Sequence, residues 1–244
     1  MRISKFLAHA GLGARRDCET LVSGKQVSVN NIVITNLATQ IDPDKDVVFV
    51  YNKKVTLPDE HIYYLINKPS GYLSTTDGSE KRKTILTLLP KDLKTDRRLT
   101  IVGRLDKESE GLLLVTDDGE TANKLMHPRY EKEKEYLVIV RGEVTNEEIE
   151  QLKTGVEILV DEVPYTTLPC KLVLIEADPK RTSFNITLRE GKKRQIRLMC
   201  EKIGHPVTYL RRIRLGTLEL GGLKLGELRS LSETEITSLK KSLA

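Results

Sequence analysis

Hydrophobic residues in the first 55 positions follow a helical spacing and then a strand spacing. Apolar residues on one helical face predict a first helix with Ser4 as its N-cap, and a second helix over residues 14–23. Residues 27–29 and 32–34 alternate between apolar and polar, which predicts a hairpin, and residues 47–50 predict a closing strand. The pattern therefore predicts a small unit of two helices followed by a sheet.

After a polar stretch at residues 52–60, strand and helix patterns alternate along the rest of the chain. Short apolar or alternating runs predict strands, and capped runs with helical spacing predict helices. The strands are predicted at 62–66, 101–102, 112–115, 136–140 and 184–188, and the helices at 119–126, 145–152 and 194–203. This order predicts an α+β fold with a mostly antiparallel sheet and flanking helices. We predict domains at residues 1–55 and 61–244, joined by a linker at 56–60.

The helix predicted at residues 194–203 has the clearest periodicity in the chain. Its apolar positions recur at helical spacing, and Gly204 and Pro206 end it. Basic residues gather at its N-terminal end, where backbone N–H groups lack helical partners; they are Lys192, Lys193, Arg194 and Arg197. The sequence therefore predicts anion binding at this end of the helix.

Composition fits a protein of the cytoplasm. Of the 244 residues, 31% are charged and 39% are hydrophobic, so the chain has enough apolar residues for a core. The three cysteines form no CxxC pair, and the four histidines show no metal-ligand spacing, so we expect no disulfide framework and no metal. An apolar stretch of about 18 residues and a signal peptide are both missing, so we expect no membrane partner.

The positive charge is concentrated in two segments. The net charge is +5, but residues 1–55 carry 8 basic and 5 acidic side chains, and residues 178–214 carry 11 basic and 3 acidic ones. A basic segment inside a nearly balanced chain is typical of a protein that binds a polyanion. Nucleic acid is the first candidate, and a solvated basic face is the alternative.

A polar loop between two predicted strands, VGRLDKESEG, holds the main chemical candidate. Asp106 lies in this loop near a strand end. Taken alone, it is either a reactive carboxylate or a surface aspartate paired with Arg104 or Lys107. The loop by itself does not decide between these interpretations.

Five segments together resemble the ribosomal pseudouridine synthases of the RsuA/RluB type. GRLDKESEGLLLVTDDG is similar to the active-site motif of that family, and INKPSGYLST at residues 66–75 is similar to its N-K-P-x-G motif. HPRYEKEKEY at 127–136 resembles the segment that ends in K-x-Y, and EGKKRQIRLM at 190–199 resembles E-G-x-x-R-Q-[VI]-R. The basic N-terminal unit resembles an S4 RNA-binding domain. The matches cover almost the whole chain in the order of the family.

The resemblance implies roles for individual residues. It implies that Asp106 is the nucleophile, that Tyr136 lies against the target base, and that Arg197 pairs with Asp106. Without the resemblance, a core tyrosine is the alternative for Tyr136. Two departures are Ala14, where S4 domains usually have a serine, and Leu198, where the family often has a second arginine.

Contacts with RNA are predicted at further basic residues. Arg104 either contacts RNA or fills the space of the flipped base, with a salt bridge as the alternative, and Lys68 either binds phosphate or is solvated. The predicted RNA-binding set is Arg104, Lys68, Lys134, Lys192, Lys193, Arg194, Arg2, Lys5, Arg15, Arg16 and Lys25.

A carboxylate suits pseudouridine formation, and the reaction requires no cofactor. The N1–C1′ bond breaks and a C5–C1′ bond forms, and the product contains the same atoms as the substrate, so no energy source or metal is required. A carboxylate can add to a carbon and leave again. The sequence leaves open whether Asp106 attacks C1′, adds to C6 or removes a sugar proton.

We therefore expect an rRNA pseudouridine synthase that acts as a monomer on ribosomal RNA or a pre-ribosomal particle. The K-E-Y and Q-I-R contexts favour 23S over 16S rRNA. One alternative is a non-catalytic rRNA-binding or ribosome-assembly protein with a retired synthase domain. Another is a small-molecule glycosidase or nucleosidase, although such enzymes generally use two carboxylates.

Overall fold

The computed structural model describes residues 1–58, 60–75, 83–90, 93 and 99–243. These residues form two compact units. The first unit comprises Met1–Ile62, Leu89–Thr100 and Thr116–Gly119, and the second comprises Tyr63–Leu88, Ile101–Val115 and Glu120–Ala244, as far as their residues are described. The boundaries at 1–55 and 61–244 remain a prediction, and Asp59 of the predicted linker lies outside the described residues.

The first unit contains the two helices and the small sheet that the sequence predicts. Its elements are α1 (Ile3–His9), α2 (Arg15–Ser23), β1 (Val27–Val29), β2 (Ile32–Val33), β3 (Val48–Val50) and β4 (Lys53–Val55). The strands form an antiparallel sheet in the order β2-β1-β3-β4. Buried apolar residues of both helices, among them Phe6, Leu7 and Val22, pack against Val27 and Val48 of the sheet.

One prediction for this unit is wrong. Ser4 is not an N-cap: α1 begins at Ile3, with Arg2 as its N-cap, and Ser4 is buried inside the helix. The Ile3 N–H bonds to the Thr39 carbonyl oxygen at 2.9 Å, so a distant contact satisfies this helix end. β4 lies within the polar stretch at residues 52–60, before the predicted linker at 56–60, and pairs with β3.

The second unit is built on a nine-stranded, mostly antiparallel sheet, as predicted. The order is β11-β12-β8-β13-β7-β5-β15, with β14 beside β13 and β6 beside β7. The strands are β5 (Tyr63–Lys68), β6 (Thr100–Val102), β7 (Glu110–Thr116), β8 (Lys134–Arg141), β11 (Lys171–Asp178), β12 (Arg181–Leu188), β13 (Val207–Leu215), β14 (Leu218–Glu219) and β15 (Leu228–Ser230). The β13–β7 pair is parallel, which joins the two halves of the sheet at its centre.

Helices and a separate hairpin complete the second unit. They are α3 (Gly119–Met126), α4 (Asn146–Thr154), the hairpin β9 (Glu157–Val160) and β10 (Val163–Thr166), α5 (Gln195–Lys202) and α6 (Glu233–Ser242). One buried cluster joins α4, α5 and the hairpin to β8 and β12, and a second joins α3 and α6 to β5 and β7. The long helices therefore flank the sheet, as the sequence predicts.

In the described part of the chain, none of the helices has the length and apolar character needed to cross a bilayer. The helices instead place one apolar face in a core cluster. In α5, for example, Ile196, Met199 and Cys200 are buried, whereas Glu201 and Lys202 are exposed.

Candidate active site

Three of the motif segments meet around one cleft in the second unit. The cleft has a volume of about 600 Å³, and its wall comes from residues 73–75, 104–107 and 191–194. These residues belong to the segments INKPSGYLST, GRLDK and EGKKR. Residues far apart in the sequence are therefore brought together as one concave surface, which is typical of a ligand site.

Asp106 lies in the loop between β6 and β7, and its side chain is 32% exposed. Arg197 on α5 points toward it, with Nε 3.8 Å from Asp106 Oδ2. This distance allows a charge pair but exceeds hydrogen-bond length. The structure thus brings together the predicted nucleophile and its predicted partner.

Other contacts fix the Arg197 side chain. Its Nη2 donates to Ser109 Oγ at 3.3 Å and its Nη1 donates to the Val207 carbonyl oxygen at 3.4 Å. Its Nε is buried and has no hydrogen-bond acceptor among the described residues. The guanidinium group is therefore fixed by hydrogen bonds at both of its Nη atoms, and the Nε that faces Asp106 retains its hydrogen-bonding capacity.

Tyr136 lies on β8, opposite Ile186 of β12 and Arg212 of β13. Its side chain is partly buried and packs against the apolar cluster beneath α5. Among the described residues, the cleft wall includes Asp106 and Arg104 but neither Tyr136 nor Arg197. The role of Tyr136 remains a prediction.

Lys68 is fully buried, so both interpretations from the sequence, phosphate binding and solvation, are wrong for this structure. It ends the buried strand β5, and its Nζ donates to the carbonyl oxygens of Ser109 at 2.6 Å and Lys107 at 3.2 Å. Burial lowers the pKa of Lys68 to about 8, opposed by the negative charges of Glu108, Glu110 and Asp106. Lys68 therefore holds the backbone of the Asp106 loop.

The INKPSGYLST segment supports the same loop at further points. The Gly71 N–H donates to the Lys107 carbonyl oxygen at 2.7 Å, and Ser74 Oγ both donates to and accepts from the backbone of Leu105. Sequence reasoning missed Ser74 and the buried Ser109. The only available signal was their position inside two motif segments, because neither serine is unusual in its local context.

Each basic residue of the loop before α5 has a partner within the protein. Lys193 pairs with Asp161 of the β9–β10 hairpin, and Arg194 Nη1 lies 3.8 Å from Glu108 Oε2. The Lys192 Nζ lies 4.3 Å from the centre of the Tyr165 ring, which is a cation–π geometry. By contrast, Arg104 is exposed, and no ion-pair partner is found for it in the described residues.

Glu190, which the sequence analysis did not single out, fixes the basic loop before α5 through buried hydrogen bonds. Its carboxylate is buried and accepts hydrogen bonds from the Tyr165 hydroxyl, the Leu168 N–H and Gln195 Nε2. The bond to Glu190 raises the pKa of Tyr165 to about 12, so this hydroxyl remains a donor at neutral pH. The Glu190 contacts thus join the hairpin to the start of α5.

Lys134 lies on β8, two residues before Tyr136, and is only partly exposed. Its Nζ donates to the Lys132 carbonyl oxygen at 3.2 Å. Burial, and secondarily the nearby charge of Arg212, lower the pKa of Lys134. Its predicted contact with RNA remains a prediction.

In the first unit, the predicted basic residues lie at or near the surface. Arg2, Arg15, Arg16 and Lys25 are exposed and Lys5 is partly exposed. Ala14 is the N-cap of α2 and has no side-chain acceptor, but Asp17 Oδ2 accepts the Ala14 N–H at 2.6 Å. The departure at Ala14 therefore leaves the helix that carries Arg15 and Arg16 intact.

Comparison with known proteins supports the family resemblance that the sequence motifs indicate. Residues 62–202 match a family model described as RNA pseudouridylate synthase, and residues 1–48 match the S4 domain model. The chain is 37% identical over 244 residues to an uncharacterized RNA pseudouridine synthase of Aquifex aeolicus (strain VF5), covering 100% of this chain and 95% of the relative. It is 36% identical over 241 residues to the ribosomal large subunit pseudouridine synthase B of Bacillus subtilis (strain 168), covering 98% of this chain and 95% of the relative.

A solved structure gives the same result for the fold. A structure described as a crystal structure of pseudouridylate synthase aligns with a TM-score of 0.69 at 28% identity, covering 98% of this chain and 99% of the other. The resemblance that the motifs indicated is confirmed. This chain therefore belongs to the RNA pseudouridine synthase family, whose members are isomerases, and it carries an S4 domain in its first 48 residues.

Proposed function

We propose that this protein isomerises a uridine of ribosomal RNA to pseudouridine, with Asp106 as the nucleophile. The observation that carries this proposal is the Asp106–Arg197 pair, at 3.8 Å, beside a cleft with cationic walls. A fixed guanidinium group next to a carboxylate orients it by charge pairing. The surrounding cations suit a polyanionic substrate.

Asp106 is the reacting group in this proposal. The N1–C1′ bond of the target uridine breaks, the uracil turns within the site, and a C5–C1′ bond forms. The proton on C5 leaves and N1 gains one, so atoms balance without a cofactor. Asp106 attacks C1′, adds to C6 or removes a sugar proton, and each route requires the ionised carboxylate. Lys68, Gly71 and Ser74 support this step by fixing the loop backbone.

The target base must leave the RNA stack to reach Asp106. An enzyme that acts on a base flips the nucleotide into its own pocket. Tyr136 provides a flat ring for the uracil and a hydroxyl for proton transfer. The exposed Arg104, which has no ion-pair partner among the described residues, lies two residues from Asp106 and is the side chain that we assign to the space left by the flipped base.

RNA docking is assigned to two basic surfaces. Residues 191–194 border the cleft, and Arg15 and Arg16 lie exposed on α2 of the S4 domain. We propose that the S4 domain binds structured RNA through phosphate contacts, which carry little sequence information, and that the cleft selects the uridine.

We further propose that the target lies in large-subunit RNA. The similarity to the Bacillus subtilis large subunit enzyme over 98% of this chain supports this choice. The test is to map pseudouridines by carbodiimide labelling and primer extension in rRNA from strains with and without the gene. We expect one 23S site to disappear and to return with a plasmid copy. Loss of a 16S site alone would overturn the subunit choice.

If every pseudouridine remains in the deletion strain, the enzymatic proposal itself fails. The alternative of a non-catalytic RNA-binding protein then becomes the better one. Purified protein separates these cases, because an active enzyme releases tritium from RNA that contains 5-tritiated uridine. Tight RNA binding without tritium release would favour the non-catalytic alternative.

Replacing Asp161 by Asn is expected to tighten RNA binding. Asp161 pairs with Lys193, and both side chains are largely exposed, so the pair contributes only about 0–1 kcal/mol. RNA phosphate competes with this carboxylate for Lys193. In the Asp161→Asn variant, which lacks this carboxylate, we expect the Kd for an rRNA fragment to fall about twofold to fivefold. The Kd is measured by fluorescence anisotropy at several salt concentrations.

Glu150→Gln provides the matched control. Glu150 pairs with Lys153 on α4 at 2.8 Å, is similarly exposed, and lies outside the cleft wall. This variant removes one negative charge without freeing a cation at the cleft. If both variants change the Kd equally, the effect is one of net charge and Lys193 does not contact RNA.

A further inference from the structure

Arg212 on β13 is a buried cation for which the described residues provide no counterion. It is 1% exposed and is the largest fully buried side chain in the described chain. Its Nε donates to the Leu112 carbonyl oxygen at 2.8 Å, but its Nη2 has no hydrogen-bond partner among the described residues. In those residues no carboxylate lies within ion-pair distance of it. A buried charge in this state is costly, so its presence requires an explanation.

The Asp106 loop contacts Arg212 at both of its ends. Gly103 precedes the loop and has φ +72°, and a Cβ there would lie 3.4 Å from Arg212 Nη1. Gly111 follows the loop and has φ +106°, and a Cβ there would lie 2.2 Å from the Arg212 carbonyl oxygen. Gly111 is therefore needed for the close approach of the Arg212 backbone, whereas a Cβ at Gly103 would touch the Arg212 guanidinium group and strain the loop backbone through its positive φ.

Arg212 also faces the strand that carries Tyr136. The two residues lie directly opposite each other in the β13–β8 pair, so their side chains share one face of the sheet. Lys134, two residues before Tyr136, is on the same face, and the charge of Arg212 contributes to its lowered pKa. Arg212 thus lies between the Asp106 loop and the Tyr136 strand.

We propose that Arg212 is a positioning residue that sets the Asp106 loop relative to Tyr136. This proposal rests on the proposed function, in which Asp106 reacts and Tyr136 contacts the base. The planar guanidinium group fills the space beneath Gly103 and is fixed by its bond to Leu112. Neither methionine nor lysine reproduces both features, because methionine has no donor and lysine lacks the planar fork.

The test compares Arg212→Met and Arg212→Lys with the native protein. We expect Arg212→Met to lower kcat about a hundredfold, since a loop displaced by about 1 Å loses this much. We expect Arg212→Lys to lower kcat about tenfold, and we expect KM and the Kd for RNA to stay within about twofold in both variants. Rates are divided by the folded fraction, measured by circular dichroism at the assay temperature.

Two results would overturn the proposal. Native kcat per folded molecule in Arg212→Met would mean that Arg212 is only structural. A rise in Kd that matches the loss of rate would mean that it contacts RNA. A native enzyme that makes no pseudouridine in the same assay would instead refute the proposed function, which keeps the two failures distinguishable.

A double-mutant cycle keeps the proposal testable if Arg212→Met folds poorly. Gly103→Ala adds a Cβ against the guanidinium group, whereas Gly204→Ala adds one at a similar φ of +84° with nothing within 4 Å. Gly103→Ala should lower kcat in the protein with Arg212, and we expect this loss to be at least threefold smaller in the Arg212→Lys background. The effect of Gly204→Ala on kcat should be the same in both backgrounds. Independent effects at both glycines would contradict the proposal.

Discussion

Asp106→Asn protein will bind its RNA as tightly as the native protein and will form no pseudouridine. Asparagine has nearly the same size, so the loop held by Lys68 and Ser74 keeps its shape. Its amide carries no negative charge and cannot act as the nucleophile. We expect the rate to fall at least about 10⁴-fold, which is typical of losing a principal reacting group.

The assay is tritium release from RNA that contains 5-tritiated uridine, with RNA affinity measured in parallel. Glu108→Gln is the matched control, because Glu108 lies in the same loop and also pairs with an arginine, Arg194, at 3.8 Å. We expect this control to retain activity within about threefold. Native rates from Asp106→Asn would refute its role as nucleophile.

Arg197→Met should show the second largest loss, about 10²-fold to 10³-fold in kcat, as when one preorganised donor is removed from an active site. The Arg197 Nε lies 3.8 Å from Asp106 Oδ2, and its Nη2 bonds to Ser109 in the same loop. Methionine preserves the packing of the stem but leaves Asp106 without its cation. Arg197→Lys should recover part of the loss, because the charge returns but the second contact does not.

Single-turnover rates at saturating enzyme measure this effect apart from RNA binding. Lys202→Met serves as the control, since Lys202 is an exposed cation on the same helix, α5. It should leave the single-turnover rate unchanged. A loss in Arg197→Met that disappears at higher enzyme concentration would show that Arg197 binds RNA and does not act on Asp106.

Elements that depend on local interactions were predictable from the sequence. The capping box at Thr145 and Glu148 predicts α4, and the Thr145 hydroxyl indeed accepts the Glu148 N–H. The apolar spacing after Arg194 predicts α5, which spans Gln195–Lys202. Both signals lie within one or two helical turns, so a local pattern is sufficient. Ser4 fails as a cap because the Thr39 carbonyl oxygen, far along the chain, satisfies the helix start.

The site was predictable only where the motifs carried the information. Asp106 and Arg197 are 91 residues apart, and the resemblance alone suggested that they pair. Burial of Lys68 and Arg212 was not predictable, because it results from strands that meet only in the folded sheet. A lysine or arginine in a sequence suggests a surface position. The sequence around these two residues does not show that a loop backbone elsewhere in the chain needs a buried hydrogen-bond donor.

The internal partners of Lys193 and Arg194 have a consequence for turnover. Substrate and product carry the same phosphates, so the electrostatic attraction that brings the RNA in also holds the product. Asp161 and Glu108 pair with these cations in the structure, so under the proposed function we expect both carboxylates to compete with the RNA phosphates for them. We therefore expect the two carboxylates to shorten the residence time of the product at the cost of some affinity for the RNA.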